Sequence, residues 1–290
     1  SNANGSNTLT RTNYITVNTP APCTRINLPL PTGWGFVSYS FQNNAGFVNG
    51  VNSFGDRQKA MFFDMSTTNN THLTGVNIAF SSAFSIQPNK IISFRVYDGT
   101  SNTPGAEITS PVTRTIQQIR ADVQANRYTF IDFPANVQLP ASKKFFVSVD
   151  ISTLTWGEIL KDSLNIFSNA IGQSLRNDAW EQDASGVWAN YTTAYNNQLN
   201  GLQLYIHPNV TPTPTRAVIN PKNPEVCVNS SVSFNAQGST QNAASLVQWQ
   251  IPGSNPQVIN NQQTINPIYT TAGTFKAYLL MVGACNEVRV

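Results

Sequence analysis

The sequence has 290 residues, of which only 11% are charged, and its formal net charge at pH 7 is +3. A typical soluble domain has about 25% charged residues, so Asn, Thr and Ser must supply most of the polar surface. The small net charge and the lack of a Lys/Arg cluster argue against a nucleic-acid partner. No apolar run approaches about 18 residues, so no membrane span is predicted. This composition favours an exported β-rich protein, secreted, extracellular or on the cell surface, over a cytosolic enzyme.

Residues 1–20 are expected to form a separate piece. Ser1-Asn2-Ala3 is typical of the remnant of a cleaved purification tag. Residues 4–17 begin with an Asn-Gly turn signal and continue with apolar residues at strand-like spacing, namely Leu9, Tyr14, Ile15 and Val17. This stretch is similar to the terminal strand of a polycystic kidney disease (PKD) domain. An ordinary first strand of the following domain is an equal alternative, and in either case we expect the natural protein to be longer.

Residues 21–207 are predicted to form one jelly-roll-like β-sandwich. After a Pro-rich entry, short apolar segments recur every 10–20 residues between turn signals. The predicted strands are Phe36–Phe41, Ala60–Asp64, Leu73–Phe80, Ile91–Tyr97, Glu107–Val112, Arg127–Phe133, Lys144–Ile151, Leu164–Asn169, Gly186–Tyr191 and Leu202–His207. Between them, Thr115–Val123 has helical spacing of Ile116, Ile119 and Val123, and is either a short helix or a strand.

Several motifs lie within residues 36–207. They are G-x-x-x-G-x-N with a following Gly-Asp (Gly46, Gly50, Asn52, Gly55, Asp56), V-Y-D-G with a later Pro-Gly (Val96–Gly99, Pro104, Gly105), Lys144–Val147, and a Trp-Gly-Trp hairpin (Trp180, Gly186, Trp188). Together they resemble an uncharacterised β-sandwich module found beside PKD domains in large secreted bacterial proteins, including some metallopeptidases. The resemblance implies a context and no mechanism.

Residues 208–224 are a predicted Thr/Pro linker, in which alternating Thr and Pro favour an extended spacer. In residues 225–290, apolar residues alternate as in half-buried strands. This region resembles a PKD domain, an immunoglobulin-like β-sandwich. The match is carried by Trp249, Pro252, Gly253, Pro267, Tyr269, Gly273 and Phe275.

The sequence lacks the common catalytic motifs. Its two histidines, His72 and His207, are far apart, and neither H-E-x-x-H nor G-x-S-x-G occurs. Carboxylates are the remaining option, since glycoside hydrolysis needs two of them facing each other. The candidates are Asp56, Asp64, Asp98, Asp132, Asp150, Glu158, Asp162, Asp178, Glu181 and Asp183. Most of them occupy turn positions, where Asp bonds to its own backbone, so no enzymatic activity and no cofactor are predicted.

Structural calcium is possible, because hard cations bind oxygen ligands in loops. Asn52 with Asp56, and Asp98 with Asn102, are such oxygen sets, although neither has EF-hand spacing. Stabilisation of the turns is the alternative interpretation of both pairs.

A window of aromatic residues is the candidate ligand site. Trp156, Trp180, Trp188, Tyr191 and Tyr195 lie within 40 residues, and exposed aromatic rings would stack on sugar rings. Nearby amides that could bind hydroxyl groups are Asn165, Asn169, Gln173, Asn177, Asn190 and Asn196. The alternative is that these aromatics fill the sandwich core.

There are three cysteines, and an exported protein tends to oxidise any suitable pair. Cys227 and Cys285 bracket the C-terminal region and are the best candidate pair, whereas Cys23 is expected to be free or paired elsewhere. A bridge needs Cα atoms within about 7 Å, which an immunoglobulin-like strand order would not guarantee.

Three functions remain open. The first is a non-catalytic spacer, adhesion or interaction fragment of a larger secreted or cell-surface bacterial protein, with neighbouring domains of the same chain as partners. The second is a carbohydrate-binding accessory module of a polysaccharide-degrading enzyme, which would bind an extracellular glycan, or an accessory region of a metallopeptidase. The third is an enzyme, and the missing nucleophile and metal motifs argue against it.

Overall fold

The computed structural model describes residues 24–26, 30–157, 162–212, 216–240, 246–282 and 287–289. Most regular structure in these ranges is antiparallel β-strand, so the predicted all-β fold is confirmed. The chain forms two compact units, one made of residues 23–216 and one containing residues 217–290. They are the first and the second unit below. No described helix is long and apolar enough to cross a membrane.

In its described ranges, the first unit contains short strands, two α-helices and a 3-10 turn at Gln42–Asn44. Its described strands are β1 Thr24–Arg25, β2 Gln58–Asp64, β3 His72–Ile78, β4 Phe80–Phe84, β5 Ile91–Asp98, β6 Val112–Thr115, β7 Thr129–Gln138, β8 Lys144–Asp150, β9 Ser163–Ile166, β10 Ala179–Gln182, β11 Trp188–Asn190 and β12 Ile206–Thr211. Its described α-helices are α1 Ile116–Gln124 and α2 Tyr191–Ala194.

Two antiparallel sheets are the layers of the first unit. One has the strand order β1-β12-β3-β7, the other has the order β11-β10-β2-β8-β5-β6, and β4 pairs with β9 separately. Alternate residues of a strand point to opposite faces, and the inner faces of both sheets meet in one apolar core. Val76 and Ile131 come from the four-stranded sheet, and Met61, Phe94 and Val147 come from the six-stranded sheet. This arrangement is a β-sandwich.

Strand β12 extends beyond the predicted domain boundary at residue 207. Residues 208–211, which the sequence assigned to the Thr/Pro linker, are buried and pair with β3 as far as Thr211 opposite His72. Pro208 has no backbone donor, but its carbonyl still accepts a hydrogen bond from the Ile26 amide (3.0 Å). Ala217 is already part of the apolar core of the second unit. The two units therefore leave fewer residues between them than the predicted linker 208–224.

The segment Thr115–Val123, which the sequence left open between a short helix and a strand, forms the helix α1. Thr115 is the N-cap of α1, its hydroxyl accepts from the Gln118 amide, and the Gln118 side chain accepts from the Thr115 amide. This reciprocal capping satisfies two backbone donors that a helix start leaves free. Ile116 and Ile119 are buried on one side, as the spacing predicted.

Several predicted strands differ from the structure, among them Leu202–His207, of which only Ile206 and His207 belong to β12. The segment Leu73–Phe80 divides at Ala79 into β3 and β4, which pair with different neighbours. In Glu107–Val112, Glu107 makes only an isolated bridge, and the paired strand β6 begins at Val112, after Pro111, which has no backbone donor. Phe36–Phe41 contributes isolated bridges only.

The second unit consists of a four-stranded sheet facing shorter strand pairs. Its described strands are β13 Phe234–Asn235, β14 Leu246–Gln250, β15 Ser254–Asn255, β16 Val258–Asn260, β17 Thr264–Ile265, β18 Ile268–Tyr269, β19 Tyr278–Val282 and β20 Glu287–Arg289. The sheet order is β16-β14-β19-β20, and β13 pairs with β17 and β15 with β18. Trp249 is 0% exposed at the centre of the core, stacks on Phe234 (ring centroids 6.3 Å) and donates to the Gln262 carbonyl (2.8 Å).

The motif residues that follow Trp249 in the sequence meet in space. Tyr269 and Phe275 stack with their centroids 5.0 Å apart. Gly253 has φ +84°, and the Phe275 ring occupies the position that a Cβ at Gly253 would need. Glycine is required there because only it combines this backbone conformation with so close an approach.

Candidate functional site

The outer face of the six-stranded sheet has an unusual composition. On β2, Lys59, Met61 and Phe63 point toward the core, so Gln58 and Phe62 point outward. The pairing register places these outward residues beside outward residues of the neighbouring strands. The outer face is defined here by Gln58, Phe62, Arg95, Tyr97, Phe146, Ser148, Asp150, Trp180, Gln182 and Trp188.

One half of the outer face is an aromatic layer. Phe146 is 0% exposed although it points away from the sandwich core. The ring centroid of Phe62 lies 5.0 Å from that of Phe146. The ring centroid of Trp180 lies 5.5 Å from that of Phe146, and these two rings meet edge to face. Phe62 and Trp180 are half-buried and form the surface of this layer. A second, small apolar cluster therefore covers the outside of the sheet.

The other half combines aromatic rings with amides. Tyr97 and Trp188 meet edge to face at 5.6 Å, although their strands are four positions apart, so both side chains lean across the sheet. Tyr97 Oη donates to Gln58 Oε1 (3.0 Å), and Gln58 Nε2 donates to Gln182 Oε1 (2.9 Å). Ser148 Oγ also donates to Gln58 Oε1 (2.6 Å). Burial raises the pKa of Tyr97, so its hydroxyl stays protonated at neutral pH.

A pocket of about 510 Å³ opens at the end of this face. Gln58, Gln182 and Asp150 belong to both the face and the pocket, and the loop before β2 and the turns after β8 and β10 form its other walls. The lining residues are Val51, Asn52, Gly55, Asp56, Arg57, Gln58, Asp150, Ser152, Leu154, Gln182 and Ala184. Its volume lies in the range of small-molecule sites, and its lining is mainly polar.

Two ion-pair networks hold the carboxylates of the pocket. Asp56 Oδ2 accepts from Lys59 Nζ (2.6 Å), which also donates to Glu181 Oε2 (2.7 Å). Asp150 Oδ2 accepts from Arg95 Nε (2.9 Å), whose Nη1 donates to Glu107 Oε2 (3.0 Å). Each of these pocket carboxylates is therefore engaged by a cation.

Lys59 is 0% exposed and lies on the core side of β2. Its ammonium group is 5.5 Å from the centre of the Tyr191 ring, and Tyr195 Oη donates to Glu181 Oε2 (2.7 Å). Burial, and then the nearby Glu181 charge, raise the pKa of Tyr195, which therefore remains a donor. The network fixes the position of Asp56 at the pocket.

Comparisons with known proteins do not identify the chain. No protein-family model and no curated protein matches it. Among solved structures it is similar to the β-D-glucuronidase of Dictyoglomus thermophilum, with 10% sequence identity and a TM-score of 0.23. That match covers 89% of this chain and 42% of the glucuronidase chain, so the chain spans less than half of that protein.

The predicted aromatic window divides into three places. Trp180 and Trp188 lie on the same outer face, because Trp188 pairs with Gln182, two residues after Trp180. Tyr191 is 1% exposed and belongs to the core. Tyr195 and Trp156 pack at the margin of the core, Tyr195 against Phe41 and Trp156 beside Phe47. The Trp156 indole also donates to the Asn44 carbonyl (2.8 Å).

The amides predicted beside these aromatics bond mainly to other parts of the chain; Asn190, which lies opposite Trp180, donates to the Asn177 carbonyl (2.6 Å). Asn165 and Asn169 are 0% exposed and bond to Ser38, Ser81 and the Gly201 carbonyl. Gln58 and Gln182 supply the amides of the face instead. Sequence reasoning missed them because Gln58 precedes its predicted strand, and because only the tryptophans of the Trp-Gly-Trp hairpin, and not Gln182 between them, were considered as ligand-binding residues.

The calcium and disulfide predictions remain open. Asn52 directs its amide nitrogen to Asp56 Oδ2 (2.7 Å), and Asp98 Oδ1 accepts from the Thr100 amide (2.7 Å), which supports the turn-stabilising alternative. Within the described ranges, no three His, Cys, Asp or Glu residues come together as a metal site. Cys227 is exposed, and Cys285 and Cys23 lie outside the described residues.

His207 predicts a pH dependence of stability. It is 1% exposed and lies between Tyr128 and Tyr205, with ring centroids 5.7 and 5.6 Å away. Burial lowers its pKa to about 4, against a smaller opposite effect of the Ile26 backbone. Because the unfolded chain takes up this proton near pH 6.5, stability falls as pH falls, by about 2 kcal/mol between pH 7.5 and 5.

The measurement is urea unfolding of the parent and of His207→Gln at several pH values in that range. The variant should lose most of the slope, and the parent–variant difference cancels the titration of the carboxylates. His72→Gln is the control, because His72 is only partly buried and its lowered pKa should contribute less. Equal slopes in the parent and His207→Gln would contradict the prediction.

Proposed function

We propose that the first unit is a non-catalytic glycan-binding module of an exported multidomain protein. The observation that carries the proposal is the outer face, where half-buried Trp180 and Trp188 lie beside hydrogen-bonded amides and a pocket. An indole offers a flat apolar surface with a polar edge, which matches the apolar ring face and the hydroxyl rim of a sugar. A spacer alone would not need aromatic side chains on the outside of its sheet.

Hydrogen bonds among the polar side chains of the outer face hold them in place, which supports ligand binding without a large rearrangement of these side chains. Gln58 accepts from Tyr97 and Ser148 and donates to Gln182, so the amide plane is fixed before any ligand arrives. A prepared set of groups loses little conformational entropy on binding. The low charge content of the chain is also suited to stacking and amide hydrogen bonds as the sources of affinity.

The second unit is proposed to be a PKD-like spacer that connects the module to neighbouring domains. Its support is the central Trp249 and the contact of Tyr269 with Phe275 over Gly253, which join the residues of the PKD resemblance. Secretion or display on a cell surface is proposed from the composition. Its test is fractionation of the source cells, in which the full-length protein should appear outside the cytoplasm.

The binding proposal predicts losses on substitution of the two tryptophans. The parent is screened on an array of polysaccharide fragments that includes cellohexaose, xylohexaose, mannohexaose and hexagalacturonate. Trp180→Ala and Trp188→Ala should each weaken binding of the retained glycan at least about tenfold, since a tryptophan anchor contributes about 2 kcal/mol. Titration calorimetry at 15 °C measures this, with circular dichroism to verify the fold of each variant.

Trp156→Ala is the matched control, since Trp156 lies at the core margin and not on the outer face. It should melt earlier than the parent but keep the affinity. Failure of the parent to bind any fragment on the array would overturn the proposed function. So would unchanged affinity of both outer-face variants.

A further inference from the structure

Asp56 is an unusual member of the pocket lining. Its side chain is 7% exposed, and Oδ2 is held by Lys59 Nζ (2.6 Å) and Asn52 Nδ2 (2.7 Å). Within the described part of the chain, its other oxygen, Oδ1, receives no hydrogen bond. Oδ1 is not fully buried, so it is open to solvent and can accept a hydrogen bond from water or from a ligand. This carboxylate is held by two donors and lines the pocket with its second oxygen free to accept.

The charges around the pocket disfavour an anion. Two carboxylates, Asp56 and Asp150, line the pocket, against one cation, Arg57. The sum is one negative charge. Like charges at short range in a partly desolvated site repel strongly.

We propose that this pocket is a subsite for one neutral sugar residue, in which Asp56 Oδ1 accepts a hydrogen bond from a sugar hydroxyl and sugars that carry a carboxylate are rejected. The inference rests on the proposed function, because the rest of the glycan lies on the outer face next to the pocket. Gln58 and Gln182, which border both, connect the two parts of the site. A hydrogen bond to a fixed carboxylate is the stronger, charge-assisted kind.

The chain offers a matched pair of variants. Asp56→Asn and Glu181→Gln each remove one negative charge from a partner of Lys59, but Asp56 lines the pocket and Glu181 does not. Asp56→Asn should weaken binding of the neutral hexasaccharide that the parent retains by about tenfold, the expected loss for a hydrogen bond to a charged group. Glu181→Gln should weaken binding much less, because it does not line the pocket and glutamine keeps a side-chain oxygen beside Lys59. The parent should bind hexagalacturonate at least about tenfold more weakly than the neutral hexasaccharide. Added salt should reduce this difference in affinity, because it screens the repulsion between the charges.

The outcomes separate this inference from the proposed function. If Trp188→Ala weakens binding but Asp56→Asn does not, the face binds glycan and the subsite is wrong. Equal losses for Asp56→Asn and Glu181→Gln would assign the effect to the ion-pair network and overturn the subsite as well. Equal affinity of the parent for hexagalacturonate and the neutral chain would overturn its selectivity. If either variant unfolds, the affinities of the parent for hexagalacturonate and for the neutral hexasaccharide still test whether the subsite rejects charged sugars.

Discussion

Replacing Lys59 with methionine is expected to destabilise the first unit by about 3–5 kcal/mol, because removing one partner leaves a buried charge uncompensated. Lys59 is fully buried and its ammonium group contacts both Asp56 (2.6 Å) and Glu181 (2.7 Å). Methionine fills a similar volume, so the loss reports the missing charge and not a cavity. Thermal unfolding should show a melting temperature lower by about 10 °C for a unit of this size.

Two further variants test the cause of that loss. Lys144→Met removes an ammonium group that is partly exposed and 3.9 Å from Asp64, so it should cost less than about 1 kcal/mol. The triple variant Asp56→Asn, Lys59→Met, Glu181→Gln leaves no uncompensated charge and should recover much of the stability. If the triple variant is no more stable than Lys59→Met, the loss does not come from the charges.

Replacing Trp249 with alanine is expected to unfold the second unit at 37 °C. Truncation of a buried tryptophan costs about 3–5 kcal/mol, and the total stability of a unit of some 70 residues is only about 4–10 kcal/mol. The variant loses the stacking on Phe234 and the hydrogen bond to the Gln262 carbonyl. The backbone amides of β14 and β19 should lose their protection against hydrogen exchange, which is measured on peptides from these strands.

Leu246→Ala is the control on the same strand, because Leu246 is 40% exposed and its truncation removes little buried area. The first unit has a separate apolar core, so exchange in β2 and β8 should not change in Trp249→Ala. Retained protection of β14 in Trp249→Ala would contradict the assignment of Trp249 as the central core residue.

Local patterns were sufficient for the fold class and for much of the element placement. The short apolar segments Lys144–Ile151 and Ile91–Tyr97 predicted β8 and β5 almost to the residue, because apolar runs of this length between turn signals are typical of strands. The Trp-Gly-Trp hairpin is present as β10 and β11, with Gly186 at φ +90° in its turn. The sequence analysis left α1 open between a helix and a strand, although two local signals favour the helix, namely the spacing of Ile116, Ile119 and Val123 and the capping pair Thr115 and Gln118.

The candidate site depended on long-range contacts. The sequence grouped five aromatic residues because they lie close in the chain, whereas the face combines Trp180 and Trp188 with Phe62, Tyr97 and Phe146 from three other strands. Lys59 and Glu181 are 122 residues apart and meet through strand pairing. No local pattern contains that information.

The sequence by itself therefore determined the class of fold, the positions of most strands and the polar, weakly charged surface, because these follow from the alternation and composition of neighbouring residues. Which aromatic residues point outward was decided only by the tertiary structure. A strand has two faces that local alternation cannot tell apart, and the sheet order determines which of them meets the core. The same order brought Asp56, Gln58, Asp150 and Gln182 together around one pocket.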